Sequence, residues 1–362
     1  MTLEELRQKI DKIDTDLLRL LNERSDIVHE VGLLKKREGL AIYAPEREDA
    51  LLKSLIAKSA GRLPEKSIRA IYREIMSAAL ALEEDLKIAY LGPPGTWTHQ
   101  ASISKFGNSV EYLPQPNLAD VFDQVTRQLA DYGVVPIENS TEGAVTHTLD
   151  LFADSPLKIC AQIFMPIENN LMAKCARDEI KVFYSHPQVF AQCRHWLGLH
   201  FNTIPLVETT STAAAAEIAA EEPGAAVLGG ALLAEMHGLT MLERSIQDLS
   251  TNTTRFLVIS PRTCPPTGKD RTSLMFSVKD EPGSLHRALE PFEEFRINLS
   301  KIESRPSKRR AWEYFFFVDI AGHCEEDKLV AALGQLEKHC SFVKLLGSYP
   351  DTGRPGDAEA GD

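Results

Sequence analysis

The chain has 362 residues, of which 43% are hydrophobic and 25% are charged, and its formal net charge at pH 7 is -12. This composition is typical of a folded globular protein, and the length predicts about two to three domains. The negative charge argues against nucleic acids and anionic membranes as partners, because both attract a basic surface. No apolar run approaches the roughly 18 residues of a membrane span, and the first residues lack the regions of a signal peptide, so we expect a cytoplasmic protein.

Cysteine usage predicts no metal site. The six cysteines are scattered, without a paired C-x-x-C spacing or a matching array of histidines: Cys160, Cys175, Cys193, Cys264, Cys324 and Cys340. They are predicted to be reduced thiols that mostly fill the core.

The first 86 residues differ from the rest of the chain, because they contain only 3 of the 21 glycines and 2 of the 20 prolines. Thr2 and Glu5 form a capping-box pattern, and Pro45 and Pro64 stand where a helix would have its first turn. The segment is predicted to be all helical, with three helices near 3–38, 45–60 and 64–86.

The first predicted helix carries an apolar stripe that one arginine interrupts. The apolar members recur at spacings of three and four: Leu3, Leu6, Ile10, Ile13, Leu17, Leu20, Ile27, Val31 and Leu34. Arg24 occupies the same stripe, and a lone buried charge is costly, so Arg24 is predicted to be paired or to bind an anion. The alternative is a guanidinium that reaches solvent or pairs with Glu23 or another neighbour.

A cationic site on this helix would need two chains. Arg7 and Lys35 flank the stripe, but at 1.5 Å rise per residue they lie about 42 Å apart along a straight helix. An antiparallel pair of chains would bring Arg7 of one copy towards Arg24 and Lys35 of the other, so the pattern predicts a homodimer. On the second helix, Arg47 and Glu48 are placed to close the same site.

Residues 1–86 resemble the all-helical chorismate mutase domain. Six residues fall on that family's site positions: Arg7, Arg24, Lys35, Arg47, Glu48 and Glu83. The resemblance implies a pericyclic rearrangement, which needs no nucleophile but needs cations for two carboxylates and donors at the breaking ether oxygen. It implies that the three arginines bind the substrate, whereas Lys35 and Glu83 face the ether oxygen.

Two features of this segment leave alternatives open. Glu83 can donate a hydrogen bond only when protonated, so the resemblance implies a mutase activity that declines as the pH rises. The alternative interpretation is that Glu83 is an exposed acid in the run Glu83-Glu84-Asp85. Ala44 replaces an aspartate common in the family, and Ala79 replaces a serine of some members, which leaves open a weaker mutase.

From Lys87 onward the pattern changes to an α/β alternation. Short apolar runs at Ile88–Leu91, Val134–Ile137 and Phe256–Ile259 predict strands, and stretches such as Leu118–Leu129 have helical periodicity. After the second run the chain passes directly to Glu138, Asn139, Ser140, Thr141 and Glu142. Such a polar group at a strand end is typical of a binding site, and the alternative is an ordinary capped turn.

Residues 87–262 resemble prephenate dehydratase through four motifs in order. They are Tyr90-Leu-Gly-Pro-Pro-Gly-Thr-Trp-Thr98, Val135-Pro-Ile-Glu-Asn-Ser140, Tyr184-Ser-His-Pro-Gln188 with Gln192, and Thr254-Arg255-Phe256. The resemblance implies two α/β lobes of the periplasmic-binding-protein type with the ligand between them. It also implies that the late strand crosses back to the first lobe, where we expect Thr254 opposite Glu138 and Asn139 across the cleft.

The implied reaction is the loss of carbon dioxide and hydroxide from a cyclohexadiene, for which one hydroxyl donor is enough. Thr254 is the candidate donor. The other candidates bind or orient the substrate: Thr98, Glu138, Asn139, Ser185, Gln192 and Arg255. Three of these candidates have an alternative role: Thr254 as a residue that only initiates a strand, Arg255 as part of a structural ion pair, and Glu138 as a residue that holds the site together. His186 is either a general acid or a turn residue.

Pro261–Lys269 is predicted to be a linker to a last α/β domain at 271–350. Strands are predicted at Thr272–Val278 and Glu313–Asp319, each followed by a helical stretch, and 351–362 is predicted to be a disordered tail. This domain resembles the ferredoxin-like ACT domain through two motifs, Pro282-Gly283-Ser284-Leu285 and Glu303-Ser304-Arg305-Pro306.

The two motifs imply a site for L-phenylalanine at a dimer interface. Gly283 permits close backbone approach, and Glu303 or nearby carbonyls would hold the ammonium group. Ser284 and His286 depart from the family pattern, and the alternative is a purely structural dimerisation module.

Together the resemblances indicate a multidomain enzyme family, the bifunctional chorismate mutase/prephenate dehydratases. They imply chorismate and prephenate as substrates, L-phenylalanine as inhibitor, no metal or organic cofactor, and a homodimer or dimer of dimers. Two rival interpretations are a catalytically silent amino-acid sensor and a dehydratase whose helical segment is only a dimerisation arm.

Overall fold

The structure is a computed structural model that describes residues 1–39, 43–308 and 312–353. The chain divides into two compact units. Unit 1 comprises Met1–Lys87 and Phe106–Glu111, and unit 2 comprises Ile88–Lys105 and Tyr112–Asp362. Within the described residues, no helix combines the length and the apolar character needed to cross a membrane.

The described part of unit 1 is built on helices α1 (Leu3–Glu38), α2 (Pro45–Lys58) and α3 (Glu65–Glu83). At the start of α1, the Thr2 hydroxyl accepts from the Glu5 N–H while the Glu5 carboxylate accepts from the Thr2 N–H, which is the predicted capping box. Pro45 opens α2 as expected. Pro64 is the N-cap residue of α3, one position before the first turn that the sequence predicted.

The apolar stripe of α1 is exposed within one chain. Each of its members is at least 41% accessible to solvent: Leu3, Leu6, Ile10, Ile13, Leu17, Leu20, Ile27, Val31 and Leu34. The one buried residue of the helix is Gly32. An apolar face of this length marks an interaction surface, because folded proteins rarely leave such a patch in water.

The segment Phe106–Glu111 packs on the helices of unit 1. The buried Tyr43 ring lies 4.9 Å from the Phe106 ring, and the Ser109 N–H donates to Ser77 Oγ at 3.0 Å. Gly107 has a φ of +73°, and a Cβ there would lie 2.4 Å from Ser77 Cβ. Only glycine therefore fits this contact.

The first sheet has the strand order β2-β1-β3-β11-β5, with β4 paired to β3. Its strands are β1 (Lys87–Leu91), β2 (Glu111–Gln115), β3 (Tyr132–Asn139), β4 (Gly143–Ala144), β5 (Lys158–Pro166) and β11 (Thr253–Ser260). Its helices are α4 (Trp97–Phe106), α5 (Leu118–Thr126) and α6 (Thr146–Asp154). We call this sheet with its helices the first lobe.

The second lobe is formed by a sheet of order β10-β6-β9-β7-β8. Its strands are β6 (Asn170–Ala173), β7 (Val182–Ser185), β8 (Leu206–Glu208), β9 (Ala225–Gly229) and β10 (Thr240–Glu243). Its helices are α7 (Pro187–Gln192), α8 (Arg194–His200), α9 (Thr212–Glu221) and α10 (Leu232–His237), with a 3-10 turn at Arg177–Glu179. The late strand β11 returns to the first lobe, as the resemblance implied.

The last domain is an antiparallel sheet of order β13-β14-β12-β15 with two helices. Its elements are β12 (Asp270–Ser277), α11 (Ser284–Glu294), β13 (Leu299–Pro306), β14 (Tyr314–Ala321), α12 (Asp327–His339) and β15 (Phe342–Pro350). Phe276 and Val318 pack with the helices, whereas Phe317 packs with Ile159 and Leu257 of the first lobe. Both faces of the sheet are therefore buried, one of them against the first lobe.

The predicted disorder of residues 351–362 is wrong at the first of these residues. Asp351 accepts a hydrogen bond from Gln162 Nε2 at 3.0 Å and lies 3.1 Å from Arg271 Nη2, so it is anchored to the sheets. The rest of the predicted tail from residue 354 lies outside the described residues.

Candidate active sites

Lys35 and Glu83 meet in unit 1. Lys35 lies in the last turn of α1 and Glu83 ends α3, and Lys35 Nζ is 3.2 Å from Glu83 Oε2. The Glu83 side chain is only 7% exposed. Gly32 makes room for it, since a Cβ at that position would lie 2.8 Å from Glu83 Cγ. The donor role that the resemblance implies for Glu83 stays a prediction.

The other candidate residues of the mutase do not all converge in one chain. Arg7 and Arg47 are exposed, while Arg24 and Glu48 are half-buried. Arg7 lies near the opposite end of α1 from Lys35, as the helical spacing predicted.

The two departures from the family lie at the start of α2 and on α3. Ala44 is the N-cap residue of α2 and offers no side-chain hydrogen bond to the helix. Ala79 is buried on α3. The weaker mutase that these alanines leave open stays a prediction.

Thr254 and Asn139 form the centre of the second site. Thr254 of β11 pairs with Asn139 of β3, and Asn139 Nδ2 donates to Thr254 Oγ1 at 2.8 Å. The expectation that Thr254 faces Glu138 and Asn139 across a cleft is therefore wrong. Strands β3 and β11 are neighbours, so the three residues share one lobe.

The Asn139 side chain is fixed by contacts on both sides of its amide. Its Oδ1 accepts from the Thr141 N–H at 2.9 Å, from Thr141 Oγ1 at 2.6 Å and from the Glu142 N–H at 3.2 Å. Its Nδ2 donates to Asn252 Oδ1 at 2.8 Å besides Thr254. Because Thr254 Oγ1 accepts this hydrogen bond, its own proton can be donated to another group.

Glu138 and Arg255 are the sequence neighbours of this pair and point to the opposite side of the sheet. Side chains alternate along a strand, and Arg255 pairs in register with Glu138. Glu138 Oε2 lies 2.9 Å from Lys301 Nζ of the last domain and 4.0 Å from Arg255 Nη1. Glu138 thus joins the first lobe to the last domain.

Arg255 is 4% exposed and is held by buried partners. Its guanidinium contacts Asp319 Oδ2 at 2.5 Å and donates to the Tyr349 hydroxyl at 2.8 Å and to Gln162 Oε1 at 3.1 Å. Burial alone would lower the pKa of Arg255, but Tyr349 and Asp319 raise it. Burial alone would raise the pKa of Asp319, yet Arg255 keeps it low. This geometry favours the structural ion pair over substrate binding.

Thr98 is positioned in the first turn of α4 by an ordered loop. Thr96 Oγ1 donates to the Leu91 carbonyl at 3.0 Å, and the Gly95 N–H donates to His99 Nδ1 at 3.1 Å. Burial lowers the pKa of His99, which favours the neutral ring that can accept this bond. Thr98 itself is 5% exposed.

The second lobe contributes Ser185, His186 and Gln192. Ser185 Oγ donates to the Leu228 carbonyl at 2.8 Å in the buried sheet. His186 is the N-cap residue of α7, and its Nδ1 accepts from the Gln188 N–H at 3.3 Å, which favours the turn residue over the general acid. Gln192 Oε1 accepts from Asn169 Nδ2 at 3.0 Å.

Three residues that the sequence did not single out as individual candidates complete this network. Asn252 lies two residues before Thr254, and Asn169 lies in the connection between the lobes. Glu142 of the first lobe contacts Gln188 and Gln192 of the second. Glu142 and Asn252 each lie two residues from a motif, which was the available signal, whereas Asn169 is near none of the four.

The motifs of the last domain lie on α11 and β13. Gly283 is the N-cap residue of α11 with a φ of +77°, and Ser284 Oγ accepts from Arg287 Nη2 at 3.1 Å. Leu285 packs against the core of this domain. The second motif, Glu303 to Pro306, ends the edge strand β13.

Residues of β13 point alternately to two sides. Glu303 and Ser304 are consecutive, so they lie on opposite faces, and Ser304 and Pro306 are exposed. Arg305 lies 3.4 Å from Asp150 Oδ2 of α6, and Lys308 Nζ lies 2.8 Å from the same oxygen. Burial alone would raise the pKa of Asp150, but Lys308 and Arg305 hold it below its usual value.

Across the described residues, no group of three or more His, Cys, Asp and Glu side chains is arranged to hold a metal ion.

Three family models match successive parts of the chain. Chorismate mutase type II matches residues 6–84, prephenate dehydratase matches 88–264 and the ACT domain matches 272–338. A bifunctional chorismate mutase/prephenate dehydratase of Aquifex aeolicus is 46% identical over 353 residues. That alignment covers 96% of this chain and 98% of the relative.

Two solved structures share the fold of the central and last segments. Prephenate dehydratase from Arthrobacter aurescens in complex with L-Phe is 33% identical with a TM-score of 0.69, covering 74% of this chain and 90% of that chain. GqqA, described as a novel type of quorum quenching acylase, is 28% identical with a TM-score of 0.68, covering 74% and 98%. The fold alone therefore does not decide the reaction. The near-full-length identity and the ordered family matches do decide the family: this chain belongs to the bifunctional chorismate mutase/prephenate dehydratases.

Proposed function

We propose that this chain converts chorismate to prephenate in its helical segment and prephenate to phenylpyruvate between its two lobes. The second reaction releases carbon dioxide and water, and L-phenylalanine inhibits it through the last domain. The observation that carries the proposal is the hydrogen bond from Asn139 Nδ2 to Thr254 Oγ1, which leaves the Thr254 proton free to be donated.

In the dehydratase reaction, Thr254 assists the departure of the hydroxyl group. The bond to the carboxylate breaks, its electrons form the aromatic ring, and the carbon–oxygen bond of the hydroxyl breaks at the other end of the ring. Thr254 donates a proton to this oxygen, so that water leaves, and solvent returns a proton to Thr254. Asn139 holds the hydroxyl in the donating orientation, while Thr98, Ser185 and Gln192 bind or orient the substrate.

Glu138 and Arg255 are assigned a supporting role in this proposal. Both contact the last domain rather than the Thr254 hydroxyl, through Lys301 and Asp319 respectively. They would hold β3 and β11 in the register that places Asn139 beside Thr254.

In the mutase reaction, Lys35 and Glu83 face the breaking ether oxygen, and the arginines bind the two carboxylates. The exposed stripe of α1 favours a second copy of the chain as its cover, because an antiparallel pairing would also bring Arg7 of that copy to Lys35. We therefore propose a homodimer, with Arg24, Arg47 and Glu48 closing the site. Dimer and dimer of dimers both satisfy this geometry.

In the last domain, L-phenylalanine would bind at the motifs around Gly283 and Glu303. The positive φ of Gly283 permits close backbone approach before α11, and Arg305 of the second motif contacts α6 of the first lobe through Asp150. An effector bound at β13 would thus lie beside a residue that contacts the dehydratase segment. It must bind the inhibited state better than the active state, since otherwise it shifts no population.

The finer assignments belong to the same proposal. They are the periplasmic-binding-protein-like and ferredoxin-like folds, a cytoplasmic location, and domain limits at 1–86, 87–262 and 271–350. Carboxylate binding and proton donation are assigned to side chains alone, without a metal or an organic cofactor.

The test is an assay of the purified chain with chorismate alone, which follows chorismate loss and phenylpyruvate gain with and without L-phenylalanine. Phenylpyruvate formation that L-phenylalanine suppresses would support all three assignments. Formation from prephenate but not from chorismate would leave unit 1 as a dimerisation arm. Absence of both reactions, with retained binding of L-phenylalanine, would favour the amino-acid sensor.

A further inference from the structure

Glu142 places a carboxylate between the two lobes. It lies in the turn after β3 of the first lobe, whereas Gln188 and Gln192 lie on α7 of the second. The side-chain amides of both glutamines donate to Glu142 Oε1, with Gln192 Nε2 at 3.4 Å. One carboxylate oxygen of the chain therefore bridges the lobes.

A buried residue orients the side-chain amide of Gln192. Asn169 is fully buried in the connection between the lobes, and its Nδ2 donates to Gln192 Oε1 at 3.0 Å. This bond fixes which end of the Gln192 amide faces the first lobe, so its Nε2 points towards Glu142. This orientation presents an amide N–H donor to an acceptor oxygen at the position of the Glu142 carboxylate.

The bridging acid is close to the reacting group. The Glu142 N–H donates to Asn139 Oδ1, and Asn139 Nδ2 donates to Thr254 Oγ1. The backbone of Glu142 thus belongs to the turn that orients the catalytic hydroxyl. Its side chain is exposed and can swing away while this backbone bond remains.

Prephenate, the substrate in the proposed function on which this inference rests, carries two carboxylates. Hydrogen bonds from amide groups to a carboxylate are stronger than those to a neutral oxygen, and two carboxylates held at the same donors repel each other. We propose that Glu142 occupies the amide donors of Gln188 and Gln192 that bind a carboxylate of prephenate, so that the substrate must displace it. Glu142 is then an internal competitor that sets the apparent affinity.

Removing the competitor's charge should strengthen substrate binding without changing the chemical step. The apparent affinity is lowered by the fraction of molecules in which the donors are occupied. In Glu142→Gln the neutral amide oxygen is a weaker acceptor, so we expect the KM for prephenate to fall about threefold to tenfold with kcat changed by less than about twofold. The matched control is Glu217→Gln, which removes the same charge from an exposed position on α9.

The experiment measures steady-state kinetics of the full chain on prephenate, without L-phenylalanine, for the wild type and both variants. A lower KM for Glu142→Gln alone supports the inference. An unchanged or higher KM in an active enzyme overturns it, and so does an equal fall in Glu217→Gln, which would be an effect of net charge. A wild type that forms no phenylpyruvate overturns the proposed dehydratase itself, which separates the two failures.

Discussion

The two candidate active sites use opposite kinds of side chain. The site in unit 1 centres on the ion pair of Lys35 and Glu83, whereas the site of the first lobe centres on the neutral pair Thr254 and Asn139. The first lies beside a helix whose apolar stripe is exposed, and the second lies in a sheet buried within one chain. In the proposed function, the rearrangement therefore depends on a second copy of the chain, whereas the dehydration uses a hydroxyl held within one chain.

The largest expected effect is the loss of dehydratase activity when Thr254 loses its hydroxyl group. Thr254→Val keeps the shape of the side chain but cannot donate, so phenylpyruvate formation from prephenate should fall about 10²–10⁴-fold. Chorismate loss should stay at the wild-type rate, because Lys35 and Glu83 are untouched. Thr253→Val, one residue earlier on β11, is the control. Retention of more than a tenth of the dehydratase activity by Thr254→Val would break the comparison.

The buried ion pair of Asp319 and Arg255 should contribute to the free energy of unfolding. Asp319→Asn leaves Arg255 buried without its carboxylate, which should lower the free energy of unfolding by about 3–5 kcal/mol. Urea unfolding measured beside Glu325→Gln, an exposed acid of the same domain, tests this. Equal stability of the two variants would mean that the Arg255 cluster does not hold the sheets together.

The mutase activity should depend on a second copy of the chain that covers the apolar stripe of α1. Ile13→Glu places a charge in the exposed stripe, and burying an unpaired charge against a second copy is costly, so dimers should dissociate. Chorismate mutase activity should fall roughly tenfold or more at micromolar protein, and the loss should deepen on dilution, whereas dehydratase activity should persist. Gln8→Glu, outside the stripe, is the control, and sedimentation gives the oligomeric state. A mutase that is unaffected in a monomeric Ile13→Glu variant would place the whole site in one chain.

The smallest effect concerns the contact between Asp150 and the cations of the last domain. The pKa of Asp150 is lowered in the folded chain, so its contribution is present above the ordinary value for aspartate and is lost as the pH falls through the folded value. Wild type should exceed Asp150→Asn by about 0.5–1 kcal/mol near pH 6, and this difference should shrink as the pH falls below the ordinary pKa of aspartate. Thermal unfolding from pH 3 to 6 measures the difference. A constant difference across this range would contradict the ionic contact.

The motifs and the family resemblance were enough to name residue pairs that the structure brings together, but not the arrangement of the strands that carry them. The resemblance placed Lys35 and Glu83 at one site, and the helical spacing along α1 separated Lys35 from Arg7. The motif residues Asn139 and Thr254 were also identified. Their side-by-side pairing was missed, since strand order depends on contacts between segments more than a hundred residues apart.

Charged residues were the hardest to interpret from sequence. Arg255 in a motif suggests anion binding, but its partner Asp319 lies in another domain, and no local pattern joins the two. Glu142 looked like one more polar residue of a capped turn. Its contacts with α7 depend on how the lobes meet, which the sequence of the turn does not contain.

The alternation along β11 also limits how this stretch can change in length. Thr254 serves one side of the sheet and Arg255 the other, so inserting or deleting one residue before them would exchange their sides. The guanidinium would then enter the space between the lobes, and the hydroxyl would face the last domain. A substitution at one position removes only the role of that side chain, but a one-residue shift of register would disable catalysis and the domain contact together.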